Sequence, residues 1–269
     1  MTDTIEEPID GPVDHGAPAP APAPAPDAPP DVQLADQAEA LLAQGRLAEG
    51  QKLAGDSQLA WAYMHLLRIV GIVAVLLPPV LVFGNMVPEG IEVEGSISAY
   101  YYTRLGGVFV GALCAIAVFL VSYQYRVTKQ EFASDNRLST LAGLCGIGVA
   151  LLPTTRHAST ATGWEKTIGT VHLTFAGLFL ALLCYLCLFR FTRTDPSAGM
   201  TPEKARRNVA YLACGAVMLL AIVAVPVVNL FHVNDSWPSL LVFETVAVEA
   251  FGTAWLIKGF RPPLWADRR

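Results

Sequence analysis

Charged side chains are scarce in this chain. Only 15% of its 269 residues are Asp, Glu, Lys or Arg, while 53% are hydrophobic. Soluble domains carry about 25% charged residues, so the deficit excludes an ordinary water-soluble surface and points to lipid as part of the solvent. The first 30 residues have neither a basic start nor an apolar stretch, so no cleavable signal peptide is expected and insertion should begin at the first apolar helix. The five histidines never reach an HxxxH or HExxH spacing, and neither a phosphate-binding glycine loop nor a nucleic-acid motif is present. No metal, cofactor or nucleic acid is therefore expected. All five cysteines (Cys114, Cys145, Cys184, Cys187, Cys214) fall in apolar runs, which excludes a secreted disulfide framework. Cys184 and Cys187 spell CxxC, but inside an apolar helix, where they read as small packing residues and not as a redox or zinc pair.

The charge that is present is unevenly placed. Residues 1–58 hold 11 acidic and 2 basic residues, net −9, and residues 59–269 hold 12 acidic and 16 basic, net +4. An acidic, Ala-Pro-rich tail over 1–31 is expected to be a disordered, extended spacer, because alternating proline removes every second backbone donor. Residues 32–57 repeat leucine and alanine at helical spacing around Gly45. They read as a short cytosolic helical hairpin, available to a cytosolic protein partner, whose core "ALLAQGRLAEGQKLA" is similar to one unit of a tetratricopeptide repeat. A single such unit cannot bury its own apolar face.

Six apolar segments follow, at about 64–87, 105–125, 138–154, 171–191, 209–231 and 240–259, within a bundle expected over 58–260 and a basic tail over 261–269. Five reach the roughly 20 residues that a spanning helix needs; the third is short and glycine-rich. The fold class expected is all-α, a polytopic membrane protein of six transmembrane helices. Pro78-Pro79 should kink the first of them. With the N-terminus inside, 15 basic residues fall in inner segments and only Arg104, Arg156 and Lys166 in outer ones. That split places both termini in the cytoplasm, for a protein expected in an inner membrane. Trp61, Trp255 and Trp265 are then expected at the inner interface, with Trp164 and Trp237 in outer loops. Gly107, Gly111 and Ala115, like Ala142 and Gly146, are spaced for close helix packing within the protomer.

Ionisable residues inside such helices are costly, so they are the first places to look for function. Glu244 lies about 7–8 Å below the outer end of the sixth span and Glu249 near its midplane. Five residues rotate the two about 140° apart, so they are not a dyad on one stripe. On the outer side the topology gathers Tyr101, Tyr102, Arg104, Arg156, His157, His172, Asp235 and Glu244 into a polar vestibule suited to a small molecule or lipid headgroup. The stretch "EGSISAYYYTR" (94–104) forms its rim. Three consecutive tyrosines on a helix cannot all face lipid; Tyr101 or Tyr102 is expected to turn inward, with Ser98 as the helix N-cap. Four roles remain open on the residues alone. They are vestibule binding or sensing, a lipid hydrolase or transferase using Ser98 or Tyr102 with His172, a proton-coupled carrier using Glu249, and a structural protein without a site. Whether the protein is an enzyme and what its oligomeric state is stay open as well.

Five pieces carry a resemblance: "SISAYYYT" (96–103), "VFVGAL" (108–113), "VALLPT" (149–154), "VHLTFAGLFL" (171–180) and "FETVAVEAFGTAWLIKG" (243–259). Together they resemble a widespread family of uncharacterised bacterial multi-pass integral membrane proteins. That resemblance implies a six-helix membrane body over about 95–260 and no particular activity. A distant similarity links the chain to alkaline ceramidases and related intramembrane hydrolases, which carry Ser-x-x-x-His near a helix start. Here Ser98 is followed by Tyr102 at the histidine position, and the later paired-histidine motif is missing. A tyrosine is a poor substitute for an imidazole ligand.

Overall fold

The computed structural model describes residues 30–43, 45, 47–86, 93–123, 129–156, 160–193, 200–230 and 238–259. Among these residues the chain is all-helical. It divides into two units, residues 1–61 and 62–269. The expected Ala-Pro tail lies outside the described residues, apart from its last two positions.

The first unit holds α1 (Pro30–Ala43) and the beginning of α2 (Leu47–Met86). Between them Gly45 has φ +71° and donates its N–H to the Leu42 carbonyl at 3.0 Å. This is the left-handed helix stop that glycine adopts without a Cβ penalty.

The second unit contains residues 62–86 of α2, then α3 (Gly106–Ser122), α4 (Lys129–Leu151), α5 (Gly163–Tyr185), α6 (Pro202–Leu230) and α7 (Ser239–Gly259). Each apolar segment read from the sequence is a helix here. Four stretches are long and apolar enough to cross a membrane: Ala54–Met86, Gly163–Arg190, Pro202–Val228 and Ser239–Gly259. The apolar helices Gly106–Ser122 and Arg137–Leu151 are shorter. Helix α2 continues through Pro78 and Pro79. Local chemistry sets the helix starts. Thr162 and Glu165 form a reciprocal capping box at α5, with the Glu165 N–H donating to Thr162 Oγ1 at 3.3 Å and the Thr162 N–H to Glu165 Oε2 at 2.7 Å. At α6 the Thr201 hydroxyl accepts the Lys204 N–H at 3.1 Å just ahead of Pro202, whose missing N–H costs nothing at a helix start. Helix α5 closes in a π-helical turn, Leu186–Arg190, where the Phe191 N–H reaches the Leu186 carbonyl at 2.9 Å.

Close packing uses small residues, though not all those expected. A methyl added at Gly143 of α4 would lie 2.6 Å from the Ala117 carbonyl oxygen of α3, so glycine is required for that approach. Ala142 and Gly146 are buried beside it. The α3 stripe does the opposite. Gly107, Gly111 and Ala115 are exposed, and added methyls at the two glycines would meet nothing within 4 Å. Four-residue spacing marks a smooth helix face without saying what covers it.

The largest correction concerns Trp255. Expected at the interface, it is fully buried, with ring centroids of Tyr123, Phe119, Phe191 and Phe251 at 5.0, 5.2, 5.4 and 5.7 Å. An amphipathic indole near a helix end suits a lipid interface. Here four neighbouring rings offer edge-to-face packing, which holds it inside. Trp61 and Trp164, by contrast, are exposed.

Candidate functional site

The segment between α2 and α3 folds by its own hydroxyls. Ser98–Tyr102 is one 3-10 turn. Ser96 Oγ accepts the Ala99 N–H at 3.0 Å, and Thr103 Oγ1 bonds the Tyr100 carbonyl at 2.8 Å while accepting the Leu105 N–H at 3.1 Å. The capping hydroxyl is therefore Ser96; Ser98 is the first residue of the turn, with no cap bond in the N-cap position before it. Nor is the inward tyrosine Tyr101 or Tyr102. Tyr100 is fully buried, Tyr101 is half-buried, and Tyr102 is 36% exposed. The tighter 3-10 rotation eclipses every third side chain, which shifts the face assignment away from an α-helical reading.

Glu244, in the first turns of α7, holds this segment in place. Its carboxylate accepts the Ile97 N–H at 2.6 Å and the Ser98 N–H beside it. A second tie runs from the Leu241 N–H to the Gly95 carbonyl at 3.0 Å. The N–H groups at a helix start lack partners within their own helix, so each of two helix starts borrows its acceptor from the other segment. Two spaces meet at Glu244. One is a cavity of about 60 Å³ in which Ser98 and Glu244 are the only polar side chains among apolar neighbours such as Phe109, Phe179 and Phe251. The other is a groove of about 140 Å³ between α5, α6 and α7.

A third space is polar. A cleft of about 330 Å³ is lined by Tyr102, the Thr154–Arg156 stretch after α4, Thr160 and Glu165 of α5. Tyr102 donates its hydroxyl to the Thr154 carbonyl at 2.6 Å, and the Arg156 guanidinium lies 5.4 Å from the Tyr102 ring centroid. Burial, with Tyr101 and Glu165 nearby, raises the Tyr102 pKa above that of an ordinary phenol, while Arg156 draws it down. Tyr102 is thus a protonated donor near neutral pH.

The residues expected in one vestibule fall into separate places. Tyr102 and Arg156 share the cleft, and Tyr101 stacks edge-on against Tyr102 at 5.3 Å. Arg104 caps the end of α2, donating to the carbonyls of Gly84 at 2.6 Å and Asn85 at 3.2 Å. His172 is 1% exposed, its Nδ1 2.7 Å from the Leu152 carbonyl that α4 leaves unpaired. His172 Nε2 has no hydrogen-bond partner among the described residues. Glu244 belongs to the Ile97 turn and not to Arg104 or His172. His157 and Asp235 lie outside the described residues. Glu249 is half-buried on α7 and lines none of these three spaces. Among the described residues, no three His, Cys, Asp or Glu side chains come close enough to hold a metal ion.

Sequence reasoning missed Ser96, Thr154, Thr160 and Glu165. The Thr-x-x-Glu spacing of 162–165 was a readable capping signal; the sequence grouped Tyr102 with Arg156, but nothing in it joined Tyr102 to Thr154, Thr160 or Glu165. In comparisons with known proteins, no family model, curated protein or solved structure matches the chain.

Proposed function

We propose that this is a six-span membrane protein that binds an anionic oxygen ligand, the phosphate of a lipid headgroup or a small phosphorylated molecule, in the outward-facing cleft at Arg156. The observation that carries the reading is the cleft itself: about 330 Å³, with the Arg156 guanidinium, the hydroxyl-bearing Tyr102, Thr154, Thr155 and Thr160, and the Glu165 carboxylate on its wall. The volume matches small-molecule sites, and a guanidinium with neighbouring hydroxyls is the chemistry that phosphate oxygens require. Arg156 makes no ion pair among the described residues; its one recorded contact is the Tyr102 ring. The two shorter apolar helices complete six spans if the bilayer thins locally around them. The distribution of basic residues supports the orientation. Arg104, Arg156 and Lys166 lie toward the 3-10 turn, while Arg68, Arg190, Lys204, Arg206, Arg207 and Lys258 lie toward the opposite end.

Native mass spectrometry of the full chain, released from nanodiscs of mixed phosphatidylglycerol and phosphatidylcholine, tests this. Retained phospholipid should fall about tenfold in Arg156→Ala, the loss of one charge-assisted bond. Displacement of the lipid by millimolar inorganic phosphate would identify the phosphate as the recognised group. Equal lipid retention by the wild type and Arg156→Ala would sink the reading.

A further inference from the structure

Glu244 is tied on one side and open on the other. The Ile97 and Ser98 amides hold its carboxylate, yet the side chain remains partly accessible and lines the groove between α5, α6 and α7. Every other wall of that groove is apolar, including Leu173 and Leu180 of α5, Ile222 and Val225 of α6, and Leu240 and Phe243 of α7. Leu173 is 57% exposed on the surface of the unit and the other named walls are half-buried, so a ligand reaches the groove from the side, through lipid. A carboxylate on an apolar wall calls for a cation beside it. A carboxylate has about four lone-pair sites; the two amides leave the others for a ligand. The cavity of about 60 Å³ behind the groove, with Ser98 on its wall, gives a small head room beside the carboxylate.

We propose that the groove binds a single-chain hydrophobic ammonium ion, its cationic head on Glu244 and its alkyl chain along the α5–α6 wall. The chain supplies what the walls require, and the charge supplies what Glu244 lacks. An anionic amphiphile of the same length is excluded by repulsion, and a neutral alcohol loses the ionic component. The site is independent of the Arg156 cleft, with which it shares no lining residue.

Two substitutions separate head from chain. Glu244→Gln keeps the shape and an oxygen acceptor for the Ile97 amide while removing the charge. Gly177→Leu fills the groove from the other side. Gly177 lines it, and a Cβ added there meets nothing within 4 Å, so a side chain can begin there without a backbone clash. Leucine is also the better helix former. The measurement is calorimetric titration of dodecylammonium into the full chain in phosphatidylcholine nanodiscs, with the signal of empty nanodiscs subtracted. Dodecylammonium should saturate, with dodecanol weaker by about tenfold and dodecyl sulfate showing no saturable binding. Gly177→Leu should weaken dodecylammonium and dodecanol alike, about tenfold or more, and Glu244→Gln should weaken dodecylammonium alone. Absence of saturable binding overturns the proposal. So does wild-type affinity in Gly177→Leu, which decides the matter even if Glu244→Gln does not fold.

Discussion

The two ends of the second unit solve the same problem with opposite chemistry. Helix termini leave backbone groups without partners, and where water is scarce those groups must find side chains. At the end opposite the 3-10 turn, cations serve the carbonyls. Arg68 Nε donates to the Gly259 carbonyl at 2.8 Å and Lys204 Nζ to the Phe191 carbonyl at 2.8 Å, while Asn208 Nδ2 donates to Thr192 at 2.9 Å. The Lys258 ammonium sits 4.1 Å from the Phe191 ring centroid, against the same aromatic cluster that encloses Trp255. Positive charge there agrees with the helix dipoles of α5 and α7, whose C-termini lie at this end. At the turn end an acid serves the amides, Glu244 on Ile97 and Ser98, and the surroundings are hollow. Three spaces open there, whereas at the other end aromatic rings enclose Trp255. One end is packed and locked; the other is tied at a few points and leaves room for ligands.

Three substitutions test that contrast, and their expected costs run from large to small. Trp255→Ala should cost about 3–5 kcal/mol, as truncation of an enclosed aromatic does. Thermal unfolding of the purified protein in detergent reads this directly, and a change below about 1 kcal/mol would mean that the packed end is not what it looks like. Glu244→Ala should cost about 1–3 kcal/mol, because it leaves the Ile97 and Ser98 amides without an acceptor. Hydrogen exchange should show the loosening confined to residues 94–102 and the start of α7. Exchange rising equally at the Trp255 end would break the division between the two. Arg104→Ala should cost least, about 0.3–1 kcal/mol, since an exposed guanidinium on the last carbonyls of α2 competes with solvent. A cost equal to that of Glu244→Ala would show that the turn end is held by its rim and not by Glu244.

How much of this was readable beforehand varies with the kind of signal. Runs of apolar residues located the long helices of the second unit, because a helix buries or exposes whole stretches and composition reports stretches. Gly45 and the Thr162-x-x-Glu165 pair marked a helix stop and a start through purely local chemistry. Glu244 stood out because a carboxylate in an apolar run is rare. Its partner did not, since Ile97 contributes only a backbone N–H, and every residue but proline has one. Trp255 and the Gly107–Gly111 stripe were legible as residue types and misleading as positions. Indole suits both an interface and a core, and smallness suits both a packed face and an open one.

The sequence by itself determined an all-helical chain with long apolar helices, the helix stop at Gly45, and the asymmetry of its basic residues. These follow from short-range backbone chemistry and from the cost of placing charge in hydrocarbon. Only the tertiary structure decided that Tyr100 is the tyrosine that turns inward and that Trp255 is enclosed. It alone divided the polar residues near the 3-10 turn between a cleft at Arg156 and a groove at Glu244. Those outcomes depend on which helix faces meet, and that is settled by side chains far apart in the chain competing for the same space.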